Sequence, residues 1–132
     1  MKFLLIFIIS VNLFSLDWIS YKEIYDNRPN KPIFVFVSKD NCKYCSIERD
    51  RMVKNKKFLS FLKKNFQTVY INQSKDFIPV YLMSSMTPAF YILESNQLKL
   101  LVQPAYGAIP LNEMRDWLEK VLNINEINKR RY

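Results

Sequence analysis

Ile33-Phe34-Val35-Phe36-Val37 is a run of five apolar residues with no polar alternation, and the pair Cys42-Lys43-Tyr44-Cys45 follows it across a four-residue gap. A strand that shows apolar side chains to both sides must be covered on both faces. That requirement points to the central strand of an α/β layer structure rather than to a half-solvated antiparallel sheet. Ser38-Lys39-Asp40-Asn41 reads as a short loop and the stretch from Cys45 onward as a helix. The two cysteines are the only ones in the chain. Their spacing lets both thiols share the first turn of that helix, close enough to form a disulfide reversibly. Such a pair can pass two electrons to or from the cysteines of another protein.

A structural role for the pair is disfavoured on energetic grounds. A bridge across two intervening residues closes almost no loop, so it constrains the unfolded chain very little. It is also not needed: at 132 residues the chain has room for one domain, and 49% hydrophobic residues supply a core without covalent staples. Redox chemistry or metal binding remains. The chain has no histidine, which excludes histidine-containing zinc sites, a Cys-His nucleophile pair and a histidine general base. Two cysteines supply half of a four-coordinate zinc site, so no metal site is assigned within this chain. With Gly107 as its single glycine, the chain has no glycine-rich phosphate loop, and no bound cofactor is expected. The formal charge of +8 is spread out apart from Lys54-Asn55-Lys56-Lys57, Lys63-Lys64 and Lys129-Arg130-Arg131. Clusters this short read as solvated helix faces and a basic tail rather than as a nucleic-acid surface.

Lys2 followed by an apolar run to Phe14, broken only by Ser10 and Asn12, has the layout of a secretory signal. A spanning helix wants ~20 apolar residues, and Asp17 interrupts the run first. Residues 1–16 are therefore read as a signal peptide, with an uncleaved membrane anchor as the alternative. No cysteine follows that would carry a lipid. The expected location is periplasmic or otherwise extracytoplasmic, where disulfides are made and reduced.

Along the rest of the chain, apolar residues at 18, 21, 24 and 25 predict a helix over Asp17–Tyr25 with Asp17 as its cap. Asp26 to Pro32 is turn chemistry. A second helical piece is expected at Lys57–Asn65, a strand at Phe66–Ile71, and a helical or irregular segment at Asp76–Met86. Ala89–Leu93 and Leu98–Val102 are expected to pair as a hairpin around Glu94–Gln97. Pro110 opens a last helix with apolar residues at 111, 114, 117, 118, 121 and 122, and 123–132 reads as a frayed, polar, basic tail.

This order, α-β-α-β-α-β-β-α, resembles the thioredoxin fold over residues 17 to 122. The resemblance rests on strand Ile33–Val37 leading into the cysteine pair, Thr87-Pro88 just before a strand, the following hairpin, and Tyr106-Gly107-Ala108 before the last helix. It implies an α/β fold with a central mixed sheet of about four strands flanked by helices. It further implies that Cys42 is the attacking residue, capped by Asn41, and that Cys45 is the buried resolving thiol. A cysteine in the first turn of a helix meets unpaired N–H groups and the helix dipole, which favour the thiolate. The resemblance makes the Thr87-Pro88 bond cis and faces it toward the pair, so that Lys43, Tyr44, Thr87 and Pro88 form the surface a substrate strand meets. Met83 and Met86 either line that surface or fill the core.

Cytosolic thioredoxins carry Trp before the first cysteine and Gly-Pro between the two, where Asn41 and Lys43-Tyr44 stand here. They also carry a buried acid six positions before the first cysteine, which corresponds to Phe36. Lys43-Tyr44 and the threonine before proline look more like exported disulfide-handling thioredoxins. The expected function is exported thiol–disulfide exchange with cysteines of other secreted proteins, in the reducing direction, with a separate and membrane-bound redox partner recycling the pair. Cysteine reduction before haem attachment is a variant of this reading. The alternatives from other classes are a copper-carrying module, with both thiolates on Cu(I), and a non-catalytic interaction domain. No dimerisation segment is visible, and a monomer is expected.

Overall fold

The structure, a computed structural model, describes residues 16–131. The expected leader lies outside the described residues except for Leu16, which is buried in the core. At the centre is β1 (Ile33–Ser38), every residue of which is buried. It pairs in parallel with β2 (Gln67–Asn72) and antiparallel with β3 (Ala89–Leu93), which in turn pairs antiparallel with a short β4 (Ala105–Tyr106). The four-stranded mixed sheet therefore runs β2-β1-β3-β4. Parallel neighbours need a crossover connection, and α2 (Lys43–Lys54) and α3 (Lys56–Asn65) supply it.

The two faces of β1 serve two cores. Phe34 and Phe36 join Met52 of α2, Phe58, Leu59 and Leu62 of α3, and Met114, Leu118 and Val121 of α4 (Leu111–Arg130). Ile33, Val35 and Val37 join Ile24 of α1 (Tyr21–Asp26) and Leu82 of a single 3-10 turn, Val80–Leu82. Fully burying a side chain of this kind contributes about 1.5–3 kcal/mol, so the unalternating run binds both helical layers to the sheet. Phe36 stands edge-on to Phe90, with ring centroids 5.1 Å apart, and to Trp18 at 6.0 Å. That geometry suits the ring quadrupoles.

Three segments differ from the sequence expectation. Residues 17–20 are extended rather than helical: Ile19 bridges Val69 of β2 through backbone bonds to Thr68 and Tyr70. The first helix begins later, where Ser20 and Glu23 form a reciprocal capping box. The segment at Asp76–Met86, expected to be helical or irregular, is irregular apart from its 3-10 turn. The expected hairpin partner Leu98–Val102 is not a regular strand. Glu94 holds the turn by accepting from the Asn96 and Gln97 N–H groups, Leu98 is left-handed at φ 56°, and only Leu100 bridges Leu93. The regular pairing comes afterwards, at β4. Finally, residues 123–130 do not fray but continue α4, with Asn125 buried and Glu126 paired to Lys129 at 3.8 Å. Among the described residues no helix is long and apolar enough to cross a membrane.

Asn55 ends α2 and starts α3, and its side-chain oxygen accepts from the Phe58 N–H at 3.0 Å. Asn55→Ala leaves that donor unpaired and is expected to lower stability by about 1 kcal/mol, read as a shift in denaturant midpoint with unchanged slope.

Candidate functional site

The site is built at the junction of β1 and α2. After Ser38 the chain is tied to the end of β2: the Asp40 N–H donates to Ser74 Oγ at 3.0 Å, and Asn72 Nδ2 donates to Asp40 Oδ1 at 3.0 Å. Asn41 then adopts φ 58°, a left-handed conformation that asparagine tolerates better than most residues. This corrects the expected cap. Asn41 turns the chain, and Cys42 itself is the N-cap, with extended dihedrals and its sulfur accepting the Cys45 N–H at 3.2 Å. Helix α2 starts one residue later, at Lys43.

Cys42 and Cys45 are joined as a disulfide, with Cα atoms 5.3 Å apart. The two sulfurs have different surroundings. Cys42 is half-buried at the surface, whereas Cys45 is 3% exposed and packs into the core beneath the helices. A second donor reaches Cys42 from across the sheet: Thr87 Oγ1 donates to its sulfur at 3.3 Å. Two hydrogen-bond donors on one sulfur stabilise a thiolate over a thiol. Thr87-Pro88 is a cis peptide bond, and Pro88 is buried with its carbonyl accepting the Gly107 N–H at 2.8 Å. Gly107 has φ 82°, and open space surrounds the position of a Cβ there, so backbone conformation is what calls for glycine.

The structure thus brings Cys42, Cys45, Thr87 and Pro88 together. Lys43 and Tyr44 lie exposed in the first turn of α2 between the cysteines. Met83 and Met86 are more than half exposed, which places them on the surface and not in the core. Phe36 is fully buried among aromatic rings, so that position provides no proton carrier.

One residue was not singled out from the sequence. Glu48, in the charged run Glu48-Arg49-Asp50-Arg51, has no exposed surface. Its Oε1 accepts from Arg51 at 3.0 Å, while Oε2 is buried without a hydrogen-bond partner. Burial pushes the Glu48 carboxyl above the usual carboxylate range, and Arg51 and the Ile109 backbone N–H only partly oppose it. The overlooked signal is spacing: Cys45, Glu48 and Met52 fall on one helix face, and both neighbours are core residues.

No protein-family model matches the sequence, and no curated protein matches it. Solved structures do. A thioredoxin from Thermus thermophilus superposes with TM-score 0.69 at 18% identity, covering 84% of this chain and 90% of its own. The chain has a thioredoxin-like fold. Thioredoxin f2 from Chlamydomonas reinhardtii gives TM-score 0.61 at 16% identity, covering 80% of this chain and 95% of its own. The oxidoreductase DsbH gives TM-score 0.56 at 17% identity over 85% of each chain. At such identities the likeness is one of fold. Within this thioredoxin-like chain, Cys42 and Cys45 occupy the start of the helix that follows the central strand.

A carboxyl whose folded-state pKa is raised binds more protons in the folded than in the unfolded chain between the two values. Stability therefore falls as pH rises through that window. The stability difference between the wild type and Glu48→Gln is expected to turn against the wild type from the ordinary carboxylate value upward. Denaturant midpoints measured across acid to neutral pH check this.

Proposed function

We propose that this chain is an extracytoplasmic thiol–disulfide oxidoreductase that reduces disulfides of other secreted proteins through Cys42 and Cys45, without a bound cofactor. The observation that carries the reading is the asymmetry of the pair. One sulfur is reachable from solvent and accepts two hydrogen bonds, and the other is buried one helical turn behind it. That arrangement suits a two-step exchange. In the reduced protein the Cys42 thiolate attacks a substrate disulfide; one substrate sulfur leaves as a thiolate, and a mixed disulfide forms. The Cys45 thiolate then attacks Cys42 Sγ and releases the second substrate sulfur. The pair loses two electrons, the substrate disulfide gains them, and the product is the Cys42–Cys45 bridge present in this structure.

The surface beside Cys42 fits an extended substrate segment: Tyr44 and Met86 are exposed, and Thr87 sits against the reactive sulfur. Lys43, Tyr44, Thr87 and Pro88 are the residues assigned to contact it. Export rests on the pattern of residues 1–16. The reducing direction requires a dithiol donor to recycle the pair, and the N-terminal segment suits a membrane-bound one. Likeness of fold to thioredoxins and to an oxidoreductase agrees with the chemistry.

Cys42→Ser is expected to abolish reduction of insulin by dithiothreitol-recycled protein. Cys45→Ser is expected to retain the first step and accumulate mixed disulfides, seen on non-reducing gels. Undiminished insulin reduction by Cys42→Ser would remove the basis for the assignment.

A further inference from the structure

We propose, independently of the oxidoreductase reading, that the basic cleft between α3 and α4 docks on the phosphate headgroups of an anionic phospholipid bilayer. In the sequence, Lys54-Asn55-Lys56-Lys57 and Lys63-Lys64 are short, separate clusters. In the fold, Lys56, Lys57 and Lys64 line one side of an open cleft of about 550 Å³, and Arg115 of α4 lines the other. Positions 57, 61, 64 and 65 share a helix face, at spacings of three and four. The charged residues lining the cleft are these four cations. The acidic side chain paired with them is Glu119, which accepts from Arg115 Nε at 3.2 Å. Phe61 carries the Arg115 guanidinium 4.6 Å over its ring. A guanidinium held flat in this way is pre-positioned, and its planar fork matches phosphate oxygens. Lys31 adds a cation at the same end of α3, donating to the Lys63 carbonyl at 2.7 Å.

Two observations favour a bilayer over another polyanion. The first is where the chain enters the domain. The Asp17 carbonyl accepts from Gln67 Nε2 at 3.4 Å and from Thr68 Oγ1 at 3.1 Å, just past Asn65, which lines the cleft. Leu16 shares a core cluster with Phe58, Leu59 and Leu62 of α3. The apolar run at residues 3–14 therefore joins the domain beside the cleft. Cations placed next to an apolar segment add electrostatic attraction to anionic headgroups. That run does not suit the cleft itself, because its one charged neighbour, Lys2, is a cation. The second observation is the direction of the sheet. Strands β1 and β2 are parallel, with Ile33 opposite Gln67 and Ser38 opposite Asn72. Cys42 follows the Ser38 end, whereas Asn65 precedes the Gln67 end. A bilayer at the Asn65 end leaves the cysteine pair at the far end of the sheet, open to a soluble substrate.

The test is co-sedimentation of the full chain, at limiting lipid, with two kinds of vesicle. One is phosphatidylcholine alone, and the other is phosphatidylcholine mixed about three to one with phosphatidylglycerol. The wild type is expected to partition at least about tenfold more strongly onto the mixed vesicles, with the preference falling as salt rises. Lys57 and Lys64 are exposed, so their replacement leaves the core intact. The double variant Lys57→Gln/Lys64→Gln is expected to lose about tenfold on mixed vesicles and to stay within about twofold on phosphatidylcholine. Lys39→Gln/Lys75→Gln makes the same charge change at the opposite end of the sheet and is expected to cost no more than about twofold. Equal partition of the wild type onto both vesicles, or equal losses in the two variants, overturns the proposal. Binding of soluble polyglutamate that depends on Lys57 and Lys64, without a preference for anionic vesicles, assigns the cleft to an acidic protein segment and also overturns it. In the reduced, vesicle-bound chain Cys42 is expected to be alkylated as fast as in the free chain, and protection by the bilayer contradicts the docking. None of these readouts involves disulfide exchange, so their failure leaves the oxidoreductase reading standing.

Discussion

The atom that caps α2 is a sulfur, and the rest of the site is arranged around it. Because Cys42 Sγ accepts the Cys45 N–H, the first cysteine stays outside the helix at the surface, while the second enters the helix on its core-facing side. An oxygen-bearing cap would satisfy the same N–H and leave no reactive group there. The cap geometry in turn depends on what precedes it. Asn41 must turn through a left-handed conformation, and Asp40 must be held to Ser74 and Asn72, so the loop is anchored to β2 as well as to β1. The site is therefore positioned by two strands and one helix end, with Thr87 brought in from the segment before β3.

The inward-facing residue of β1 that lies six positions before Cys42 is Phe36, and it completes an aromatic cluster with Phe90, Tyr70 and Trp18. An acid there would have to break up that cluster. Among the described residues the buried carboxyl is instead on α2, at Glu48, where Arg51 pairs with one oxygen and the other has no side-chain or backbone hydrogen-bond partner. Cys42 as the cap of α2, and Cys45 and Glu48 on its buried side, thus sit on a single helix and its first turn.

Much of this was legible in the residues. The unalternating run at β1, the cysteine spacing, the Thr87-Pro88 pair and the final helix each rest on strong local signals, and they place the site. What was misread had physical causes. The spacing of Trp18, Tyr21, Ile24 and Tyr25 is helical, but Ile19 is drawn to the edge of β2, and the Ser20-x-x-Glu23 capping box marks the true start. The expected second hairpin strand gave way because Glu94 turns its carboxyl onto the following N–H groups and Leu98 turns left-handed, which delays regular pairing to Ala105. Residues 123–130 looked like a tail because they are polar, yet no Gly or Pro breaks the helix and Asn125 is buried. Glu48 was hidden by its neighbours, since a Glu-Arg-Asp-Arg run reads as solvent-facing although its spacing from Cys45 and Met52 puts this member on the buried face of α2.

The account stands or falls on Cys42 and Cys45 exchanging two electrons as a unit. The direct measurement is an equilibrium titration of the pair in glutathione redox buffers, with the dithiol fraction counted by alkylation and mass. The account predicts one cooperative two-electron transition with a midpoint nearer the roughly −270 mV of thioredoxin than the roughly −120 mV of a strong oxidant such as DsbA. A pair whose oxidation state does not change across the whole series would contradict it.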